Sequence, residues 1–554
     1  MPQMSGARFI AETLKAYGIT HVFYMEAILR RTLVELEKLG IHRVLTHSEK
    51  AAAYMADGYA RASLKPAICM SQSVGAANLA AGLQDAWLGH SPVVAFTGYK
   101  PPKFQYRNAY QEISHNVMFS TVTKYNVKVC NLDQVPWLLT QSFKEATSST
   151  PGPVHIDFLG YEGNFIDEDE AELTPICELE YTHVPAKRIH PNFMEIEEAI
   201  QALKRAQKPV LVVGRGAVVS GAGAELKKFV ETINIPIASS LDAKGIISDK
   251  HPLNVGPVGT YCRPCANKVI SEADLVFFIG CGTGDQVTKD WTLPLQGTKV
   301  IQLDINPAEL GRNYPGCISI LGDARAALED FNQMLQTFKK NKAWIKQAQE
   351  YVKNYLKKVA SNCNSNMVPI RPERLCREIS SVLPLNALLF ADTGYSAIWA
   401  GTLIDIVSPD QVFIRASGSL GWAFPASLGA KCALPDRPVV CFTGDGAFWY
   451  HLSELETAVR WNIPTVTVIN NNSVLGQSQL GVRRAYRGEE GRENEQYRFN
   501  DTDFAQLARD FGAFGVRIKK PDDIKTALLD ALSSGKPAII DVVTEAESHP
   551  ILEI

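Results

Sequence analysis

The sequence predicts an α/β protein made of three doubly wound parallel-sheet domains. Strand and helix patterns alternate through the first third, and a second alternation opens at PVLVVGRGAVVSGAG after an acidic, prolyl stretch. A third runs from ALLFADTGYSAIW through PVVCFTGDGAF to VTVINNN. Each strand–helix–strand crossover makes its flanking strands parallel, so their carboxyl ends share one edge of a sheet, where open α/β sheets bind ligands. A length of 554 residues holds about three domains of roughly 100–200 residues each. The expected bounds are 1–165, 190–340 and 365–554.

In the first domain, HVFYM reads as a strand, Ile28–Leu39 as a helix, RVLTHS as a strand, and a helix begins at Glu49. PAICMSQS, a helix from Gly75 and PVVAFTG continue the alternation. From Tyr161 to Pro191 the chain is acidic and aperiodic, the pattern of a linker. The second unit follows with LVFFIG and KVIQLDIN, ending near Lys340. Gly214-Arg215-Gly216 after a strand invites a nicotinamide-cofactor reading, but Val219 stands where the third glycine of that fingerprint belongs. A charged helix over Ala343–Lys358 and the polar SNCNSNMVP lead into the third domain.

Composition excludes several classes. The net charge of -3 gives no basic field for nucleic-acid phosphates. No apolar run approaches the ~20 residues that span a bilayer, and the amino terminus is amphipathic rather than signal-like, so a cytoplasmic protein without a membrane or nucleic-acid partner is expected. The eleven cysteines are too dispersed for a disulfide scaffold. Cys262 and Cys265 have metal-like spacing, but no second pair completes four ligands.

The chemistry concentrates in Pro438–Gln477. One strand ends in Gly444-Asp445-Gly446, with Ala447 next, and the following one ends in Asn470-Asn471-Asn472, so Asp445 and Asn472 face one crevice. A carboxylate and an amide oxygen between glycines suit a hard cation such as Mg²⁺, which keeps positions for substrate phosphates. A buried turn with an incidental Asn run is the competing reading. This spacing resembles the GDG…NN signature of thiamine diphosphate (ThDP) enzymes. The resemblance implies that Asp445, Asn472 and the Val474 carbonyl hold Mg²⁺ against a diphosphate, that the backbone of Gly394, Tyr395 and Ser396 cradles phosphate, and that the Gly418 carbonyl accepts from the cofactor's 4′-amino group. Leu420 would wedge the cofactor into a bent shape that brings that nitrogen near C2.

Glu49 lies nine residues before Gly58-Tyr59-Ala60-Arg61, as does the family's glutamate that bonds the cofactor's pyrimidine. Read alone, it is a helix-start acid complementing the dipole. The chemistry gives it a purpose: the 4′-amino group must become basic enough to take the C2 proton, and a carboxyl donating to the ring nitrogen favours the imino form. Such a carboxyl needs a raised pKa.

SQSVGAANLAAGLQDAWLGH and NAYQEISHNV resemble the acetohydroxyacid (acetolactate) synthase branch, where a glutamine matching Gln111 faces the reaction centre. Tyr24, Glu26, Tyr110, Gln477 and Ser478 fall on the expected substrate side. The family's central domain binds FAD in some branches. Its FAD-binding members carry an arginine where this chain has Gly282, which leaves FAD doubtful. Two departures separate the chain from acetolactate synthase itself: Tyr24-Met25-Glu26-Ala27 replaces Gly-Pro-Gly, and Gln477-Ser478 with Gly481 replaces Met-Val and a substrate-selecting Trp. The implied reaction makes a C2-bound acyl carbanion from a 2-oxo acid or aldehyde and transfers it to a second carbonyl. An aldehyde or acyloin lyase acting without decarboxylation, and a non-catalytic ThDP-binding protein, are the rivals. The family places each site between subunits, which implies a homodimer or homotetramer. Arg483–Arg498, densely charged, reads as a solvated loop or a lid.

Overall fold

The computed structural model describes residues 3–335, 338 and 341–553. The expected outer limits 1 and 554 and the central boundary at 340 lie outside the described residues. Three six-stranded sheets, parallel throughout, follow one another along the chain. The first runs, in spatial order, His42–Leu45, His21–Tyr24, Ala67–Gln72, Val93–Tyr99, Val154–Leu159, Tyr125–Val129. The third repeats that order with Val412–Arg415, Leu388–Ala391, Val439–Gly444, Val466–Asn471, Ala538–Val543, Phe514–Ile518. The central sheet instead fans outward in both directions from Pro209–Val213, which lies between Ile237–Ser239 and Leu275–Ile279.

Strands such as Val93–Tyr99 and Leu388–Ala391 are buried along their whole length, because helices cover both faces and leave no solvated side to alternate toward. The chain reverses its direction of winding once in the central sheet and twice in the outer ones, and each first reversal leaves a crevice at the carboxyl ends of two neighbouring strands. In the third sheet those strands are Leu388–Ala391 and Val439–Gly444. In the first they are His21–Tyr24 and Ala67–Gln72.

The outer domains fuse through two helices, Glu49–Ser63 and Ala423–Ala433. A Cβ at Gly58 would lie 1.9 Å from the Ala426 carbonyl oxygen, and one at Gly429 would lie 1.8 Å from that of Met55. Only glycine permits backbones this close. Arg61 continues the contact while buried: it pairs with Asp57 at 2.8 Å and Asp85 at 2.9 Å and donates to the Arg415 carbonyl.

Four local expectations are corrected. The helix expected from Ile28 begins at Arg30, because Leu29 takes a left-handed φ of 45°. The first half of the expected linker is packed: Glu170–Glu172 pairs antiparallel with Gln3–Ser5, and Asp167 accepts from the Arg31 and Thr32 backbone N–H groups at the start of a helix. A three-residue strand is too short to show alternation. The charged helix runs Lys342–Cys363, through part of the supposed polar loop. Arg483 and Arg484 belong to the helix Gly476–Tyr486, and Arg483 is tied to Glu547. No helix among the described residues is long and apolar enough to cross a membrane.

Candidate functional site

At the switch point of the third sheet, three adjacent strand ends deliver the expected residues to one pocket of about 310 Å³. After Leu388–Ala391 come Gly394, Tyr395 and Ser396, opening the helix Tyr395–Leu403. After Val439–Gly444 come Asp445, Gly446 and Ala447, and after Val466–Asn471 come Asn472 and Val474. Gly418, Leu420, Gln477 and Ser478 complete the wall. Gly394 has φ +68°, which glycine adopts at little strain, and the helix it precedes starts in the pocket wall. Leu420 is partly exposed in this wall rather than sealed in the core.

Asp445 is 2% exposed. Burial pushes its carboxyl up to about 7, against the backbone N–H groups of Asp445, Asn472 and Gly446, which favour the ionised form. Asn470 Oδ1, also in the pocket wall, is buried without a hydrogen-bond partner. A buried carboxyl and an orphaned amide oxygen in one pocket wall offer hard oxygen donors. Oxygen donors of this kind fit a divalent cation.

Sequence reasoning missed the group that holds the loop. Asp392, fully buried, accepts from the N–H groups of Thr393 at 2.9 Å, Gly421 at 2.9 Å and Ala423 at 3.0 Å. It ties the backbone of Gly421 and Ala423, just past Gly418–Leu420, to the end of the strand Leu388–Ala391, and burial raises its pKa to about 6. Asp85 does the same from the first domain, accepting from the N–H groups of Ser417 at 2.9 Å and Ser419 at 3.0 Å. A strand-end aspartate before a glycine was the available signal.

Glu49 begins its helix, with Ser48 as the cap, and accepts from Asn78 Nδ2 at 3.1 Å. A Cβ at Gly75 would lie 2.5 Å from Glu49 Oε1, so glycine makes room for the carboxyl. The side chain is partly exposed in the single chain. The C-terminal pocket is lined by C-terminal residues, and Glu49 is not among them in one chain.

Gln111 sits in the first domain at a left-handed φ of 59° and accepts from the Tyr161 hydroxyl. Tyr110 is 76% exposed. Tyr24 ends its strand, half-buried. Glu26 is held by Arg30 in a bidentate pair at 2.9 Å, and Arg30 also meets Glu162 at 2.9 Å. Gln477 Nε2 donates to the Tyr261 hydroxyl at 2.9 Å. Ser478 is exposed beside it.

The central crevice, about 200 Å³, is lined by Arg215, Gly216, Gly280, Gly282 and Asp304 among others. Two glycines here serve close packing: a Cβ at Gly214 would lie 2.4 Å from Cys281 Cα, and one at Gly216 would lie 2.9 Å from the Gly280 carbonyl oxygen, whereas Gly282 has nothing within 4 Å. Arg215 points to the first domain, donating to the Gly89 carbonyl at 2.7 Å. Cys262 and Cys265 are buried free thiols.

Three family models match the chain in order: thiamine pyrophosphate enzyme, N-terminal TPP binding domain, over 4–118; the central domain over 196–331; and the C-terminal TPP binding domain over 392–542. A probable acetolactate synthase large subunit of Methanocaldococcus jannaschii is 32% identical, with 99% of this chain and 93% of the relative aligned. The acetolactate synthase isozyme 2 large subunit of Escherichia coli is 30% identical over 97% of this chain and 95% of its own length. The acetolactate synthase large subunit of Haemophilus influenzae is 28% identical over 99% and 96%. With all three domains matched in order and its relatives aligned almost end to end, the chain belongs to the acetolactate synthase branch of the thiamine diphosphate enzymes.

Proposed function

We propose that this protein is a ThDP- and Mg²⁺-dependent carboligase that releases CO₂ from a 2-oxo acid and joins the remaining acyl unit to a second carbonyl. The observation that carries the reading is Asp445: a buried carboxyl with backbone partners only, beside the unpartnered Asn470 oxygen, at the switch point of a family-matched domain. The lyase without decarboxylation and the non-catalytic reading are not favoured by relatives named as synthases.

Bound ThDP would supply the nucleophilic carbon and the electron sink for loss of CO₂. Asp445, Asn472 and the Val474 carbonyl would hold the cation, and the backbone N–H groups from Gly394 to Ser396 would take phosphate oxygens. The Gly418 carbonyl would accept from the cofactor's amino group, with Leu420 as the apolar wedge against it. Glu49 would hold a proton on the pyrimidine nitrogen, which needs a carboxyl kept away from water. Its exposure in one chain supports a homodimer or higher assembly in which another subunit covers it. Tyr110 and Val117, large and exposed on the same domain, support that covering. Tyr24, Glu26, Tyr110, Gln111, Gln477 and Ser478 would form the substrate side. Gly282 supports a central domain without FAD. Measuring CO₂ release and acyloin formation over a panel of 2-oxo acids and aldehydes tests the reading; acyloin from aldehydes alone, with no CO₂ from any oxo acid, would overturn it.

A further inference from the structure

Gln111 is gripped at both ends. Its backbone carbonyl accepts from Ser73 Oγ at 2.5 Å, and its side-chain oxygen accepts from the Tyr161 hydroxyl. The residue sits at φ 59°, a left-handed conformation that non-glycine residues hold only where the surroundings fix it. The grips come from different places: Ser73 follows the strand Ala67–Gln72, and Tyr161 follows Val154–Leu159. Lys100 Nζ lies 4.0 Å from the Tyr161 ring centroid, a cation–π contact to the same ring.

Ser73 is itself anchored. Its carbonyl accepts from His115 Nε2 at 2.9 Å, and His115 Nδ1 meets Asp157 at 2.9 Å. The ligating atoms of His115, His155 and Asp157 lie within 4.8 Å of one another, a spacing that suits a metal. The Thr97 hydroxyl, however, bonds Asp157 at 2.7 Å, His155 at 2.6 Å and His115 at 3.3 Å. It joins all three, so the cluster is a buried hydrogen-bond network that anchors Ser73, with only Asp157 Oδ2 left unpartnered among the cluster's ligating atoms.

We propose that Tyr161 and Ser73 are positioning residues that present the Gln111 amide N–H₂ to an oxygen of the acceptor carbonyl. An amide has one acceptor and one donor end. With the oxygen taken by the phenol, the end left for substrate donates, which selects a carbonyl or hydroxyl oxygen over an N–H group. This inference rests on the carboligase reading above and names the group that orients its second substrate.

A double-mutant cycle on the holoenzyme, with saturating 2-oxo acid and varied acceptor, tests it. Tyr161→Phe should raise the acceptor KM about five- to tenfold, the worth of one hydrogen bond, with kcat and ThDP affinity within about twofold of wild type. In a Gln111→Ala background Tyr161→Phe should do nothing further. Independent, multiplying losses would overturn the proposal. An activity-free measurement runs beside it: amide hydrogen exchange of the cofactor-free protein. Tyr161→Phe and Ser73→Ala should each speed exchange in the segment 105–114, and unchanged exchange in both would also overturn it. A wild type that consumes no 2-oxo acid would count against the carboligase reading alone, because exchange still decides whether Gln111 is held.

Discussion

Gly58 lies so close to Ala426 that a Cβ would stand 1.9 Å from the Ala426 carbonyl oxygen, inside any real contact. The obstacle is helix backbone, which cannot swing aside as a side chain does. Gly58→Ala should therefore destabilise the protein by more than about 3 kcal/mol, above the usual range for overpacking. Urea unfolding should show a lower midpoint; a midpoint unchanged would mean that the helix pair is looser than described.

Asp445→Ala should abolish Mg²⁺-dependent ThDP binding, while Glu49→Gln should leave binding largely intact and slow turnover about 10²–10⁴-fold, the span of a lost acid–base group. Fluorescence titration of ThDP with and without Mg²⁺ separates the two. Unchanged exchange of the bound cofactor's C2 proton in Glu49→Gln would remove Glu49 from its role.

Asp304, at the central crevice, has its pKa raised to about 6 by burial, more than its backbone partners at Asn306 and Ile305 offset. The folded state then binds the proton more tightly than the unfolded chain. Its contribution is neutral below about pH 4, falls as pH rises to about 6, and stays unfavourable above, by at most about 3 kcal/mol. Asp304→Asn keeps an oxygen for the Asn306 N–H and should remove that fall. Urea midpoints from pH 4 to 7 should converge at the acid end and separate, with the variant more stable, at neutral pH.

An unpaired Glu26 about 5 Å from a substrate carboxylate would oppose it by ~3 kcal/mol at an effective dielectric near 20, roughly a hundredfold. Arg30 holds Glu26 in a bidentate pair, and Glu162 shares the same arginine. The trio keeps one net negative charge, delocalised and partly screened. Glu26→Gln should raise kcat/KM for pyruvate relative to a small aldehyde by about three- to tenfold. Equal changes for both substrates would show that this cluster does not read substrate charge.

Because Glu49 does not line the Asp445 pocket within one chain, activity should track a dimer or larger assembly. Sedimentation alongside assays at increasing dilution checks it: full activity in a monomer would refute the shared site.

The sequence by itself determined the strand–helix alternation, and with it the placing of Asp445, Asn472, Gly394 and Glu49 at strand ends, because a crossover helix leaves parallel strands only one arrangement of their carboxyl ends. Local pattern reaches a few residues either way. Which strand neighbours which is a matter of long-range pairing, so the repeated order of the outer sheets and the different order of the central one came only with the tertiary structure. The bond from Tyr161 to Gln111, separated by 50 residues, and the hold of Asp392 on the Gly421 and Ala423 N–H groups, arise where loops from different strands meet. The Glu26–Arg30 pair, four residues apart, was within reach of local reasoning, but a helix expected from Ile28 hid the left-handed turn at Leu29 that precedes it. That Glu49 does not line the Asp445 pocket in one chain was likewise decided by the tertiary structure, because the two residues sit in different domains, beyond the reach of local pattern.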